Sequence, residues 1–430
     1  MSRTQWLRAG EALRLLGVQP QTLYANVSRQ RIRAKADPAD PRRSLYHAED
    51  VRRLALRRRG RRRDERIAQD AVAWGDPVLP SAVSTVEHGR LWYRGEDTVL
   101  LAERSSLEEV AALLWQCPPL EPFRESAVVP PSTGFPQTAQ QAAYTVMAQL
   151  AGRDRPMYGR SIGSLHAEAQ TLFDALSTAV LRSVAASRTD DHARNRRSSN
   201  RAAATRSARK LPLREPRALH ESLAGAWSRP AAADLIRRAL VLLADHELNA
   251  STFATRVAAS TGAALSASVL AGFATLSGPL HGGASAALNA LIESAERVGA
   301  EQAILASLAA GQGVAGFGHR LYPQGDIRAS ALLQRIELAP MLERLSRAAG
   351  ELLGEVPNVD FALVALSHST GLPPDAPFVL FALARTVGWI AHALEQSHTG
   401  TLIRPRARYV GSALQGGALS EHAHGPGPDR

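Results

Sequence analysis

Seven side chains capable of polar catalysis stand in six short motifs between Asp245 and Arg408, in otherwise apolar, helix-forming sequence. The motifs are DHELNAST, GPLHGG, VAGFGHRLYPQGDIR, NVDF, ARTVGW and LIRPR. They supply three histidines, one carboxylate and three arginines: His246, His281, His319, Asp360, Arg328, Arg385 and Arg404. A set of this composition suits carbon–carbon bond formation on a dicarboxylate substrate.

Each residue type in this set has a distinct chemical use. An arginine stays charged at any working pH, and its planar fork matches a carboxylate with two hydrogen bonds. The three arginines of the set therefore suit a substrate with two carboxylates. Histidines titrate near neutrality and can polarise a carbonyl as charge develops on its oxygen. Asp360 is the single acid in the apolar run VPNVDFALVAL. Burial should raise its pKa and make it a usable base for a weakly acidic C–H bond. Together these groups predict a site that forms an enol or enolate.

At these motifs the chain resembles citrate synthase, including its methylcitrate synthase relatives. The resemblance runs from about Val86 to Gly411, with the six motifs in the family's order, and is interrupted once. It implies a mainly α-helical, two-lobed fold that closes over oxaloacetate and acetyl-CoA and releases citrate and free CoA, as in the tricarboxylic acid cycle. The CoA thioester is then a co-substrate, and no cofactor is bound permanently. The resemblance also implies a homodimer with shared active sites, because the family's arginine at the LIRPR position reaches the partner subunit's site.

The resemblance further implies a role for each residue of the set. His281 would hold the thioester carbonyl and share the enol or enolate charge, while Asp360 removes the methyl proton. His319 would donate to the keto group of oxaloacetate as the new alkoxide forms. The residues implied to bind oxaloacetate are His246, Arg328, Arg385 and Arg404. The residues implied to contact CoA are the loop before the second catalytic histidine and one asparagine: Val314, Ala315, Gly316, Phe317, Gly318 and Asn358.

The chain departs from the family pattern beside several of these residues. Ala-Ser-Ala at 284–286 replaces an acidic residue, Asp-Ile at 326–327 replaces Asp-Pro, and Ala-Leu-Val at 362–364 replaces Tyr-Ser-Gly. A basic residue after GHR is also missing, since Leu-Tyr-Pro-Gln follows at 321–324. None of these changes removes a catalytic group. The acyl-chain preference stays open, so 2-methylcitrate synthesis from propionyl-CoA is an alternative to citrate synthesis from acetyl-CoA.

Composition indicates a helical protein of the reducing cytoplasm. Aromatic residues make up 5% of 430, whereas alanine and leucine, both strong helix formers, are abundant. The single cysteine, Cys117, excludes an internal disulfide, and no CxxC or HExxH spacing predicts a metal site. The N-terminus carries charges throughout, which argues against a signal peptide. Thr261 to Leu280 is uncharged, but it runs directly into GPLHGG, so we expect a buried helical hairpin there and no membrane span.

Basic residues are concentrated in two segments, and this predicts the domain organisation. The net charge is +11 overall, +10 in residues 1–70 and +8 in residues 182–217, which leaves the remainder at −7. We predict a small module with a basic linker over 1–70 and an enzyme body over 71–411. Within the body we expect a large lobe from 71–280 and 385–411 and a small lobe from 281–384. A basic insertion at 185–216 and the tail at 412–430 contain few large apolar residues, so we expect both to be disordered.

The first basic segment resembles a winged helix-turn-helix module of the MerR or excisionase type. GEALRLLGVQPQTLYANVSRQRIRA has two stretches with helical apolar spacing around a Gly-Val-Gln-Pro turn, and DPADPRRSLYHAEDVRRL resembles a wing followed by a helix. The residues expected to face DNA or its phosphates are Gln19, Gln21, Thr22, Arg29, Arg42 and Arg43. A DNA-binding regulator that senses oxaloacetate or acyl-CoA is therefore an alternative of another class. The intact catalytic set argues against it, since a pure sensor could dispense with Asp360.

Overall fold

The computed structural model describes residues 6–16, 23, 26–27, 32–38, 40–51, 79–127, 138–197, 217–407 and 411, without the side chains of 41–43 and 188–197. The chain divides into two compact units, residues 1–80 and 81–430.

The described part of the first unit includes a small antiparallel sheet and a helix. Its strands β1 (Trp6–Arg8), β2 (Ala34–Asp37) and β3 (Asp40–His47) pair in the order β1-β3-β2, and α1 spans Ala9–Leu16. Ala12 and Leu16, one helical turn apart, bury the apolar face of α1. Four predicted DNA-facing residues, Gln19, Gln21, Thr22 and Arg29, lie outside the described residues. Arg42 and Arg43 lie in β3, but their side chains are outside the described part as well, so the helix-turn-helix stays a prediction.

The second unit begins with a three-stranded antiparallel sheet and continues as helices, which confirms the predicted dominance of helix. The strands are β4 (Ser84–Glu87), β5 (Arg90–Tyr93) and β6 (Glu96–Asp97), paired in chain order. The helices are α2 (Thr98–Arg104), α3 (Leu107–Trp115), α4 (Ala139–Arg153), α5 (Ile162–Arg197), α6 (Leu219–Ala226), α7 (Ala233–Leu243), α8 (Ala250–Ser260), α9 (Leu265–Leu276), α10 (Ala284–Val298), α11 (Ala300–Ala309), α12 (Ile327–Leu333), α13 (Pro340–Leu353), α14 (Val359–Thr370) and α15 (Ala376–Thr399).

Two hydrophobic cores organise this second unit, and α14 contributes to both. Val359, Ala362, Leu363 and Leu366 face the larger core, which α3 to α9 and α15 also build. Phe361, Val364 and Ala365 face the smaller core, together with α10, α11 and α13. Helical spacing puts these two sets on opposite faces of one helix. Asp360, in the first turn of α14, therefore lies where the two cores meet. Both cores thus include residues of this one helix. The predicted limits of the large lobe (71–280 and 385–411) and the small lobe (281–384) stay predictions.

Helix α15 is apolar because it is a core helix. Among the described residues it is the one helix long and apolar enough to cross a membrane by length and composition, yet 89% of its most apolar window is buried inside the protein. The stretch from Thr261 to Leu280 was expected to form a helical hairpin. It contains only one helix, α9, which packs against the preceding α8.

The predicted disordered insertion at 185–216 is wrong in its first part. Helix α5 continues to Arg197, through the first 13 residues of that segment. Alanine and arginine, which favour helix, are frequent there. Residues 198–216 and the tail at 412–430 lie outside the described part of the chain.

Candidate active site

His281 lies in the turn between α9 and α10 and is oriented by a serine. Its Nε2 is 2.8 Å from the Ser251 hydroxyl, which also accepts a hydrogen bond from Trp389 Nε1 at 3.2 Å. The same hydroxyl is 2.7 Å from Asn249 Oδ1, the cap of α8, so its single hydrogen has two acceptors in reach. When that hydrogen points to Nε2, the imidazole carries its own hydrogen on Nδ1. Burial, with a smaller effect of Arg385, lowers the pKa of His281 to about 4.

The two glycines that follow His281 in GPLHGG, Gly282 and Gly283, are required by the tightness of this turn. A Cβ on Gly282 would lie 2.3 Å from the carbonyl oxygen of Leu276, and one on Gly283 would lie 2.6 Å from that of Pro279. Both contacts are with backbone, which has no side-chain freedom to yield. The motif therefore allows the chain to turn back on itself immediately after His281.

A second cluster consists of three ring side chains, His246, His319 and Tyr322. The ring centroids are 5.2 Å apart for the two histidines, 5.6 Å for His246 and Tyr322, and 4.9 Å for His319 and Tyr322. His246 Nε2 and the Tyr322 hydroxyl are 2.9 Å apart, within hydrogen-bond distance. The sequence predicted the two histidines but missed Tyr322. The sequence signals Tyr322 only as the aromatic residue in the loop that follows His319, residues 320–325.

All three rings are neutral at physiological pH. Burial, followed by the charge of Arg328, lowers the pKa of His319 to about 4 and that of His246 well below its ordinary value. Burial also raises the pKa of Tyr322 to about 12. The expectation that these histidines titrate near neutrality is therefore wrong, because a buried imidazole beside cationic arginines binds a proton poorly. They act as neutral hydrogen-bonding groups.

Arg328 is buried at the start of α12 and pairs with Asp326. Nε lies 2.9 Å from Oδ1 and the terminal Nη2 lies 2.8 Å from Oδ2. Asp326 also caps α12 and accepts a hydrogen bond from the Val359 N–H at 3.1 Å, which links this arginine to the start of α14. The departure from Asp-Pro leaves the cap intact, because Ile327 occupies the first helical position, where proline is only one of the suitable residues. The guanidinium carbon is 5.3 Å from the centre of the Tyr322 ring.

Arg385, in the middle of α15, carries an unsatisfied buried donor. The residue is 1% exposed, and its Nε donates to the carbonyl oxygen of Leu243 at 3.0 Å. Its Nη2 has no hydrogen-bond partner among the described residues. Burial lowers the pKa of this guanidinium. An unpaired charged donor in the interior is costly, and a ligand carboxylate would satisfy it.

Asp360 has the acid–base properties expected of a catalytic base. Its N–H donates to the side chain of Asn358, the N-cap of α14, at 3.0 Å. The carboxyl group keeps part of its surface exposed. Burial raises its pKa to about 6, although the nearby Arg328 acts in the opposite direction. A carboxylate of this pKa is ionised at neutral pH and holds a proton better than an ordinary aspartate.

Asn358 joins the loop of residues 314–318 to the start of α14, and its expected contact with CoA stays a prediction. Its Oδ1 caps α14, and its Nδ2 donates to the carbonyl oxygen of Gly318 at 3.0 Å. Its N–H donates to the carbonyl oxygen of Gly316 at 2.9 Å, and the Gly318 N–H donates to Val356 at 2.9 Å. Asn358 therefore fixes the loop of residues 314–318 to the start of α14. Its side chain is engaged at both ends by these hydrogen bonds.

The structure brings six of the seven predicted residues into one region. His246, His319 and Arg328 surround Tyr322, and the charge of Arg385 lowers the pKa values of His246, His281 and Asp360. Arg404 is the exception. It lies exposed on the segment after α15 and makes no hydrogen bond or ion pair with any described residue.

Comparison with known proteins shows which family this chain resembles. Residues 72–406 match the family model for the citrate synthase C-terminal domain. Citrate synthase 2 of Bacillus subtilis is 38% identical over 211 residues, which cover 45% of this chain and 55% of that protein, so the chain spans about half of that relative's length. The 2-methylcitrate synthase of Mycobacterium tuberculosis H37Rv is 28% identical over 371 residues, covering 78% of this chain and 89% of that protein.

The fold is also that of a solved citrate synthase. The enzyme from Thermoplasma acidophilum, solved in a ternary complex with carboxymethyl coenzyme A and oxaloacetate, superposes with a TM-score of 0.64 at 23% identity. The match covers 81% of this chain and 97% of that one. With the family model extending over most of its length, this chain belongs to the citrate synthase family of acyltransferase-type enzymes.

Proposed function

We propose that this protein joins the acetyl group of acetyl-CoA to oxaloacetate and, with water, gives citrate and free CoA. The observation that carries the proposal is the buried guanidinium of Arg385, whose Nη2 has no hydrogen-bond partner among the described residues, in a site that also holds neutral histidines and an aspartate of raised pKa. The site thus offers a carboxylate anchor, uncharged hydrogen-bond donors and a base. These are the groups that an enolate condensation on a dicarboxylate needs.

Enolisation is the first chemical step of this proposal. Asp360 removes a proton from the methyl group of acetyl-CoA, and His281 donates its Nδ1 hydrogen in a hydrogen bond to the thioester carbonyl. Ser251 favours this tautomer when its hydroxyl donates to Nε2, 2.8 Å away. With a pKa of about 4, His281 remains a neutral donor throughout the working pH range. The loop of residues 314–318 is the proposed contact for CoA.

Carbon–carbon bond formation follows on oxaloacetate held by the arginines. Arg385 and Arg328 bind its carboxylates together with His246, whose hydrogen lies on Nδ1 when Tyr322 donates to Nε2. The enol carbon attacks the keto carbon, and His319 donates to the keto oxygen as it becomes an alkoxide. Water then cleaves the citryl-CoA thioester and releases citrate and CoA.

We also propose that the protein is a cytoplasmic homodimer. Arg404 is exposed and unpaired among the described residues, and it would complete the site of the partner subunit. This arrangement supplies the third arginine for oxaloacetate. Replacing Arg404 by leucine in full-length protein should raise the KM for oxaloacetate while leaving the oligomeric state unchanged.

Release of free CoA thiol that depends on oxaloacetate tests the proposal directly. The purified protein is assayed in parallel with acetyl-CoA and propionyl-CoA, and the ratio of kcat/KM values assigns citrate or 2-methylcitrate synthesis. The 2-methylcitrate synthase relative favours including the second substrate, since it aligns over 78% of this chain. Release with neither thioester, in protein that binds oxaloacetate, would contradict a condensing enzyme.

The second candidate function is a DNA-binding regulator that senses the same ligands. The net charge of +10 in residues 1–70 favours it, because a basic segment binds phosphates and releases counterions. Full-length protein titrated with duplex DNA should then bind with an affinity that falls steeply as salt is raised. Absence of binding at low salt would exclude this function.

A further inference from the structure

The loop that carries His246, residues 245–249, is fastened to strand β4 by one serine. The Ser84 hydroxyl donates to the Asp245 carboxylate and accepts a hydrogen bond from the Glu247 N–H at 2.9 Å. Asp245 and Glu247 are the two chain neighbours of His246. A single hydroxyl, more than 160 positions earlier in the chain, therefore contacts the residue on either side of this histidine.

Glu247 makes a second attachment to the same strand. Its Oε1 accepts hydrogen bonds from the Val86 N–H at 2.6 Å and from the Thr85 hydroxyl at 3.3 Å. Its backbone has a φ of 49°, in the left-handed region that residues with a Cβ adopt only when their surroundings impose it. Glu247 lies in the turn between the end of α7 and the start of α8. The contacts to β4 hold the loop, together with the Tyr93 hydroxyl of β5, which accepts a hydrogen bond from the Asp245 N–H at 3.0 Å.

A buried histidine of defined tautomer contacts the same oxygen of Asp245, Oδ2, that Ser84 binds. Nε2 of His392 lies 3.2 Å from the Asp245 carboxylate, and its Nδ1 lies 3.1 Å from Nη1 of Arg256. An arginine can only donate, so Nδ1 of His392 is the acceptor and the ring hydrogen lies on Nε2, directed at Asp245. The carboxylate is thus bound between β4 and α15 and has little freedom to move.

We propose that Ser84 and Glu247 act as positioning residues that hold His246 in the geometry needed to bind the dicarboxylate substrate. We call them the β4 clamp. His246 is set on its other side by the Tyr322 hydroxyl at 2.9 Å, so a shift of its backbone would break that contact as well. Neither clamp residue belongs to the chemical steps. The inference rests on the proposed function, since it treats His246 as a substrate-binding residue.

Loss of the clamp should weaken oxaloacetate binding more than it slows chemistry. His246 is proposed to bind the substrate without touching the carbons that react, so moving it removes an interaction present before and during the reaction. Removing Ser84 Oγ takes away a hydrogen bond to a carboxylate and one from a backbone N–H. The expected effect is a rise of about tenfold in the KM for oxaloacetate, with kcat reduced less than about threefold.

The test compares Ser84→Ala with Ser84→Thr, which keeps the hydroxyl, and with Glu87→Ala as a matched control. Glu87 lies on the same strand but its carboxylate is exposed and pairs only with His88 among the described residues, at 3.9 Å. We expect the rise in KM in the alanine variant of Ser84, recovery in the threonine variant, and no change in the control. An unchanged KM in folded Ser84→Ala, or a loss confined to kcat, would overturn the clamp.

Two measurements separate the clamp from the proposed function. Calorimetry with oxaloacetate alone, and hydrogen exchange of the 245–249 amides, both report on the loop without any turnover. Faster exchange and weaker binding in Ser84→Ala support the clamp even if wild-type protein releases no CoA thiol, an outcome that would remove only the proposed reaction. If Ser84→Ala does not fold, Glu247→Ala against Glu247→Gln gives the same comparison, because the glutamine keeps an acceptor for Val86. Equal binding by those two variants would overturn the clamp.

Discussion

Replacing Asp360 by asparagine should remove activity and, at neutral pH, stabilise the protein. Burial raises the pKa of this carboxyl group from its ordinary value of 3.8 to about 6. The folded state therefore binds the proton more tightly than the unfolded state, and ionising the group opposes folding. An amide of nearly the same shape has no charge to bury. The variant thus lacks the proposed base, and its folding is no longer opposed by ionisation of this group.

The size of the gain follows from the pKa difference and depends on pH. Raising the pKa from 3.8 to about 6 corresponds to about 3 kcal/mol of unfolding free energy, lost from wild type as pH rises between these two values. Asp360→Asn should therefore exceed wild type by about 3 kcal/mol at pH 7.5 and by about half as much at pH 5. The difference should vanish below the ordinary pKa. Asp360 keeps part of its surface exposed, and solvent there screens its charge. These free-energy differences are therefore upper limits.

Urea denaturation of both proteins, followed by tryptophan fluorescence between pH 5 and 8, measures this difference. Release of CoA thiol and calorimetry with oxaloacetate, on the same samples, should show turnover reduced at least about a hundredfold with oxaloacetate binding retained. A stability difference that does not change with pH would show that Asp360 has an ordinary pKa. Normal turnover in the variant would show that another group is the base.

Three further predictions concern the same region. In wild type, kcat should fall about tenfold between pH 7 and pH 5 as Asp360 is protonated, and an acid limb centred near 4 would contradict a base with a pKa of about 6. Tyr322→Phe should stay folded by circular dichroism but raise the KM for oxaloacetate about fivefold, because His246 loses its partner at 2.9 Å; an unchanged KM would argue against this role. Gly388→Ala should lower the unfolding free energy by about 3 kcal/mol or more, since the new Cβ would lie 2.4 Å from the carbonyl oxygen of Ala244. Its control is Gly350→Ala in α13, where a Cβ meets nothing within 4 Å, and equal stabilities of these two variants would contradict the steric reason.

Several properties of the region depend on contacts that no local sequence pattern specifies. The spacing of apolar residues predicted helices, but it could not indicate that burial, followed by the charge of nearby arginines, would lower the pKa values of the histidines. Tyr322 was missed because its importance comes from His246, which precedes it by 76 positions. Asn358 was expected to contact CoA. The sequence did not indicate that its side chain caps α14 and binds the loop of residues 314–318. Each difference arises where tertiary packing decides what surrounds a polar group.

The sequence by itself determined the chemical groups, their order and the dominance of helix, because residue type and apolar periodicity are local properties. It also indicated the raised pKa of Asp360, since an acid within a continuous apolar run is buried in almost any fold. Only the tertiary structure decided which groups meet. The Ser84 hydroxyl reaches Asp245 across 161 positions, and Nη2 of the buried Arg385 has no hydrogen-bond partner in the part of the chain that the structure describes. Such contacts form when distant helices and strands pack together, so their geometry exists only in the folded chain.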